Sequence, residues 1–347
     1  MLTQEQMDEI KNAVDASERP LFFFDDDADG LCSFLQFYKH AQKGKGIVVK
    51  ATPNLNERFI QPAKNYGPDI IFVLDLAEVS QDFVNEMNCP IYWIDHHDLA
   101  TIQGVKYYNP KQNIEGDNTC ISKLSYDIFR EHLWIAATGT IGDWQLPDDL
   151  KNEINERMPE LFDAEVDTPE KALFTTKIGE LAKICNFILK GQTKDVNQAI
   201  KVLTRIETPH ELLEETSSQG KYLMKRYRQF SGTYDALLAR AIAHAEQNNE
   251  KLLVFTYEEN KNSMSGELSN ELLFRYPDKV IVIARHHHGE MKTSFRSGKH
   301  INVKKALEKA IKGISGHVGG HEQACGGMIH EDSWEMFISQ LRSALEE

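Results

Sequence analysis

Three aspartates at alternate positions, Asp25, Asp27 and Asp29, follow the apolar run Leu21–Phe24 and precede Gly30. In extended backbone alternate side chains point the same way, so these carboxylates would converge. Gathered carboxylates repel one another and resist ionising unless cations join them. An acidic turn capping the following helix would use the same residue types, because aspartate favours N-caps and first turns. Gly30 would ease the tight entry into that helix. The run is not isolated, however. Asp75 and Asp143 also close apolar segments, and Ile94–Asp98 supplies Asp95, His96 and His97. Hard carboxylate oxygens with an imidazole suit Mn2+ or Mg2+, whereas Zn2+ usually draws more His or Cys. Five aspartates are largely balanced by two divalent ions. Two such ions about 3.5–4 Å apart activate a water and stabilise the leaving oxygen of a phosphoester.

The elements that must position these groups are legible as an alternation of strand and helix. Leu21–Asp25, Ile47–Lys50, Asp69–Asp75 and Pro90–Asp95 read as short buried strands, three of them ending in aspartate. Between them, Gly30–Lys43 carries Leu31, Phe34, Leu35 and Tyr38 at helical spacing, and Glu78–Met87 reads as a helix. Cys120–His132 and Leu133–Asp143 are two further helical segments, the second closing on Asp143. Alternating βα units predict a mostly parallel sheet flanked by helices, and such sheets bind ligands at the carboxyl ends of their strands. Asp25, Asp75 and Asp95 all fall at that edge.

Beyond about Lys151 the strand signal gives way to charge-rich helices, with Gly220–Gln247 expected as a long connecting helix. Within it, Tyr222, Met224, Tyr227 and Phe230 are expected as a core-facing stripe with the basic residues solvated. Strands return at Lys251–Tyr257, Lys279–Arg285 and Met291–Ser297. A helix over Val303–Ile311, a glycine-rich loop over Gly313–Gly327 and a terminal helix over Glu331–Glu347 follow. The expected organisation is an N-terminal α/β domain over 1–190, a helical linker over 191–247 and a smaller α/β domain over 248–347. The active site is expected in the cleft between the two. His286, His287 and His288 are expected in a solvent-exposed loop.

The 347-residue chain is 41% hydrophobic, enough for two cores. Its formal net charge of −14 excludes a broad basic face for long duplex DNA, so any nucleic-acid contact must be local. Five scattered cysteines without a CxxC pair argue against a disulfide framework or a structural zinc site and for a reducing cytoplasm. No apolar run approaches the roughly 20 residues that span a bilayer, so no membrane partner is expected.

The order DDDADG, VLD, DHH, GD and a late GGH segment resembles the DHH phosphoesterases that carry a C-terminal DHHA1 domain. With aspartate rather than histidine leading, it is similar to the RecJ branch of single-strand exonucleases and its archaeal relatives. The resemblance implies two Mn2+ ions, with Mg2+ an admissible substitute. Asp25, Asp27 and Asp75 would hold one ion, and Asp29, Asp75, His96 and Asp143 the other. It implies His97 near the scissile phosphate, stabilising charge or protonating the leaving oxygen, and Asp95 orienting the histidines. Asp26, Asp98, Asp148 and Asp149 match no ligand position of the family. In the second domain Gly319, Gly320 and His321 resemble the GGGH motif, with Val318 in place of its first glycine. Thr293–Ser297 resembles an S-x-R-S strand, making Arg296 a phosphate clamp that Arg285 assists. The resemblance implies an exonuclease on single-stranded DNA or RNA. The net charge, and the lack of the OB-type domain that longer bacterial RecJ proteins carry, favour short oligonucleotides, cyclic dinucleotides or pAp as the alternative. A non-catalytic replication scaffold is a third reading. Replication and repair proteins, or further copies of the chain, are the protein partners it admits.

Overall fold

A computed structural model describes residues 1–50, 54–247, 250–258, 263–298 and 300–346. The expected domain start at residue 248 and the last residue of the terminal helix, Glu347, lie outside the described residues. Two compact units are present, Met1–Tyr227 and Arg228–Glu347. The boundary falls inside a long helix.

The first unit is built on five strands: β1 (Pro20–Asp25), β2 (Lys45–Val49), β3 (Ile70–Leu74), β4 (Ile91–Ile94) and β5 (Lys106–Tyr108). They lie in the order β2-β1-β3-β4-β5, and every pairing is parallel. The period of two in side-chain direction sends alternate residues to opposite faces. Phe22, Phe24, Phe72, Leu74, Tyr92 and Ile94 enter one core, and Leu21, Phe23, Ile71, Val73, Ile91 and Trp93 the other. Both faces are therefore covered, which is why the strands read as unbroken apolar runs. The chain leaves β1 for β2 on one side and then crosses to β3 on the other. That reversal is the point in open α/β sheets where a crevice forms at the strand ends.

The helices that matter for the site are α1 (Gln4–Ala16), α2 (Ala28–Ala41), α3 (Ile121–Phe129), α4 (Leu133–Gly142) and α5 (Lys177–Ile188). Helices α2, α3 and α4 approach closely because small residues meet: a Cβ on Gly139 would stand 1.9 Å from Ser122 Oγ, and one on Gly142 2.6 Å from Ala28 Cβ. Helix α6 (Thr193–Leu203) lies in the stretch expected as a linker, yet buries Val196, Ala199, Ile200 and Leu203 in the first core. Glu78–Met87 is helical only over Gln81–Asn85. Glu78–Val79 instead pairs in parallel with Asn54–Leu55, a nonlocal contact that overrides the local helical spacing.

The long helix α7 (Ser218–Gln247) corrects the expected stripe. Leu223, Met224 and Tyr227 face the first core, but Tyr222 is exposed. Arg226 is buried rather than solvated. Its Nε donates to Ile188 O at 2.9 Å and its Nη2 to Lys190 O, giving donors to carbonyls left over at the end of α5.

The second unit carries β6 (Leu252–Tyr257), β7 (Val280–His287), β8 (Glu290–Arg296), β9 (Gly316–Gly320) and β10 (Ala324–His330), in the order β9-β10-β8-β7-β6. Val282, Met291, Phe295, Cys325 and Ile329 pack against Leu307, Phe337 and Leu341 of the helices α9 (Val303–Ala310) and α10 (Trp334–Glu346); α8 (Ser265–Arg275) precedes them in the chain. The expected glycine-rich loop is an antiparallel hairpin, β9 with β10. Glycine carries no strand propensity, so only the pairing reveals it. His286 and His287 likewise belong to β7, and only His288 lies beyond it, at φ +51°.

Candidate functional site

The carboxyl ends of β1, β3 and β4 deliver the titratable groups. Asp25 ends β1, and Asp27 then caps α2, its Oδ1 accepting from Gly30 N at 2.9 Å. Gly30 is required sterically, because a Cβ there would stand 2.7 Å from both the amide nitrogen and the carbonyl oxygen of Asp25. Asp75 follows β3 with φ +58°, a left-handed conformation that aspartate and asparagine tolerate better than most residues. Asp95 follows β4, fully buried. Asp143 follows α4, and the next residue, Trp144, also has positive φ.

These groups converge in three sets of potential ligand atoms, each within 4.8 Å: Asp25, Asp27 and Asp75; Asp75, His96 and His97; and Asp29, Cys120 and Asp143. Asp75 belongs to two of them. His96 Nδ1 lies 3.2 Å from Asn118 O, so it carries the proton and donates. Its Nε2 lone pair then faces Asp75 Oδ1 at 3.3 Å. Whenever Asp75 is ionised, two acceptors therefore meet in a buried space, and Asp75 Oδ1 has no hydrogen-bond donor; a proton on the carboxyl relieves this only at the cost of its charge. A cation bound by both resolves that conflict, so the residues present fit a hard divalent ion.

The electrostatics agree. Burial and the Asp27 charge push the Asp25 carboxyl up to about 7. Burial and the charges of Asp29 and Asp27 push Asp143 up to about 9. Burial raises Asp27, and raises Asp75 well above the carboxylate range, with Asp29 the largest neighbouring charge in each case. His97 moves the other way in effect. Its Nδ1 donates to Asp95 Oδ1 at 2.7 Å, and its amide to Asp95 Oδ2 at 3.0 Å; this pairing raises the imidazole pKa and leaves Nε2 outward.

Several participants carry no signal in local sequence. Asp29 is buried and accepts from Ile121 N at 2.8 Å and Ser122 N at 2.7 Å, so it caps α3 from 92 residues away. Cys120, the residue at that helix start, offers no side-chain cap of its own. Gln145 ties the same corner together, donating to Asp143 Oδ2 at 2.8 Å and accepting from Cys120 N at 3.1 Å. Asp26 is pushed up to about 6, chiefly by burial, and lies 3.5 Å from Lys50 Nζ.

In the second unit Arg296 is already engaged. Its Nε donates to Asn270 Oδ1 at 2.7 Å, and its Nη1 to Phe295 O and Cys325 O at 2.9 and 3.2 Å. Arg285 does not end its strand. It pairs with Lys292, four positions along β8 from Arg296, a separation of about 13 Å at strand rise. Gly319 and Gly320 lie in β9, and His321, in the turn, is exposed.

Residues 249–347 match the DHHA1 domain family. No curated protein matches the chain. Among solved structures, exonuclease RecJ bound to manganese is 16% identical with a TM-score of 0.64, covering 100% of this chain and 96% of that one. RecJ of Thermus thermophilus with Mn2+ is 17% identical with a TM-score of 0.62, covering 99% of this chain but only 54% of its own. This chain thus spans about half the length of that relative. A DHH domain described as a member of the s1p family of ribosomal proteins is 13% identical with a TM-score of 0.64, covering 98% and 89%. The chain has a RecJ-like fold that ends in a DHHA1 domain.

Proposed function

We propose that this RecJ-like chain is a divalent-cation-dependent phosphodiesterase, acting as an exonuclease on single-stranded DNA or RNA. The observation that carries the reading is Asp75: buried, left-handed, without a donor at Oδ1, and common to two sets of converging ligands. Asp25, Asp27 and Asp75 would hold one ion; Asp29, Asp75, His96 and Asp143 would hold the other. Asp29 remains eligible although both its oxygens accept amides, since each oxygen keeps a further lone pair. RecJ relatives were crystallised with Mn2+ or Mg2+, which supports either ion. Bound there, two such ions supply a water activated at neutral pH and charge stabilisation on the phosphoryl oxygens.

The chain's own residues do the rest. Asp95 fixes the His97 tautomer with Nδ1 protonated and raises the basicity of Nε2. A proton at Nε2 is then available to the departing oxygen, and Asp95 stabilises the imidazolium until that transfer. His96 is held as a ligand by Asn118 O, and Gln145 orients Asp143.

Short oligonucleotides or dinucleotides are the second reading, favoured by the net charge of −14, which leaves little attraction for a long polyanion. Replication or repair proteins are admissible partners on either reading. All five cysteines are free, and among the described residues no helix is long and apolar enough to cross a membrane; a cytoplasmic setting accords with both. Digestion of end-labelled DNA and RNA from two nucleotides upward, with Mn2+ or EDTA, tests the proposal. Metal-dependent release of terminal nucleotides is expected and should disappear in Asp75→Asn. Absence of hydrolysis on every length would remove the enzyme reading, and turnover confined to fewer than about five nucleotides would select the second one.

A further inference from the structure

Asp26 is the member of the aspartate run that belongs to none of the three ligand sets. The alternation that brings Asp25 and Asp27 together with Asp75 turns Asp26 to the other side. Strand register sets Asp25 beside Val49, so one position further on Asp26 meets Lys50, the residue after β2. Lys50 Nζ lies 3.5 Å from Asp26 Oδ2, whereas Asp26 Oδ1 is buried without a hydrogen-bond partner. A carboxylate half met in this way costs the fold free energy, so stability alone does not account for it.

The same ammonium group is anchored on a second element. Lys50 Nζ donates to Leu189 O and, at 3.4 Å, to Gly191 O, just past the end of α5. Arg226 of α7 takes the carbonyls that alternate with these, Ile188 O and Lys190 O. Four consecutive carbonyls that the helix leaves over are thus met by two cations. A helix C-terminus presents partial negative charge, which holds Lys50 in place. Asp26 is tied to that fixed point.

We propose that Lys50 is a positioning residue for the first metal ion: anchored on the end of α5, it holds Asp26 and thereby fixes the directions in which Asp25 and Asp27 present their carboxylates. The inference rests on the reading of Asp25, Asp27 and Asp75 as ligands. Each residue has only two soft backbone dihedrals, so pinning the middle aspartate restrains both neighbours. A role in charge balance would have the opposite sign. An ammonium near a cation site repels the ion, and its removal by itself would tighten binding. A role confined to finishing α5 would leave the Asp26 contact without consequence for the metal.

Mn2+ binding to the full chain, read from the electron paramagnetic resonance of the free ion, separates these roles without any turnover. Lys50→Met should weaken one binding step about tenfold or more and spare the other, as loss of a group that orients a ligand does. Lys50→Arg keeps the charge and the donors and should restore most of that loss. Asp26→Ala and Asp26→Asn remove the same charge, but asparagine keeps an acceptor for Lys50 and should bind Mn2+ more tightly than alanine. Lys50→Met also takes a donor from the end of α5, so its fold is checked by circular dichroism in EDTA. The Asp26 pair leaves Lys50 on α5 and decides the question if that variant fails to fold. Mn2+ affinity in folded Lys50→Met equal to or tighter than wild type overturns the inference, as do equal affinities in the two Asp26 variants. Wild-type protein that binds no Mn2+ removes the metal reading itself, and the inference with it.

Discussion

Replacing Asp75 by asparagine should separate metal binding from folding. Asparagine matches aspartate in volume and tolerates φ of +58°, so the backbone after β3 need not move. Burial and the Asp29 charge raise the Asp75 pKa and so favour its neutral form, which an amide resembles. The metal-free thermal midpoint should therefore stay within about 2 °C of wild type, the shift expected when no named destabilising mechanism operates. Metal response should differ sharply. At a hundredfold excess over its dissociation constant, Mn2+ stabilises a binding-competent fold by about 2.7 kcal/mol. The first unit, Met1–Tyr227, is of the size at which each kcal/mol moves the midpoint by about 2–4 °C, so wild type should gain about 5–11 °C. Asp75→Asn should lose most of that gain, because the residue shared by both ligand sets has become a weak neutral donor. Differential scanning fluorimetry across a Mn2+ titration reads both quantities. A variant that retained the full Mn2+ increment, or whose metal-free midpoint fell by more than about 5 °C, would show that Asp75 serves the fold rather than the ion.

Other predictions follow from the same geometry. Unfolded aspartates titrate near 3.8, whereas the folded, metal-free site holds Asp25 at about 7 and Asp143 at about 9. The folded state binds more protons across that interval, so metal-free stability is greatest at acid pH and falls as pH rises through those values. Urea midpoints in EDTA should decline between pH 5.5 and pH 8.5, and saturating Mn2+ should flatten the slope; a rising EDTA curve contradicts the assignment. Asp95→Asn should lower the His97 pKa, moving the alkaline limb of kcat/KM down by roughly one unit, while His97→Ala should reduce kcat about 10²–10⁴-fold. Gly139→Ala should destabilise by about 1–3 kcal/mol in urea denaturation, since its Cβ collides with Ser122 where α3 meets α4; a neutral result would mean that the contact relaxes freely.

Local sequence carried much of this molecule because several of its determinants are local. Apolar runs ending in aspartate marked β1, β3 and β4, and helical spacing marked α2, α4 and α9 within a residue or two. The DHHA1 assignment of the C-terminal stretch rests on motifs that remain contiguous in the chain. Asp25, Asp27 and Asp75 could be singled out because strand ends and alternation predict direction as well as position.

What local sequence could not show depends on partners distant in the chain. The aspartate run left cap and ligand cluster both open; in the structure Asp27 caps its own helix and Asp29 caps one that begins at Ile121, while each also falls in a set of converging carboxylates. Gln145, Cys120 and Asn118 enter the site only because α2, α3 and α4 pack closely enough for their ends to meet. The hairpin of Gly316–Gly320 with Ala324–His330 was invisible to propensity, since glycine resists strand formation and only cross-strand pairing overcomes that. Residue types and their order thus supplied the metal chemistry proposed for this chain. Tertiary packing decided which carboxylates double as caps, which histidine nitrogen faces Asp75, and which lysine meets Asp26, because each depends on distance through space rather than along the chain.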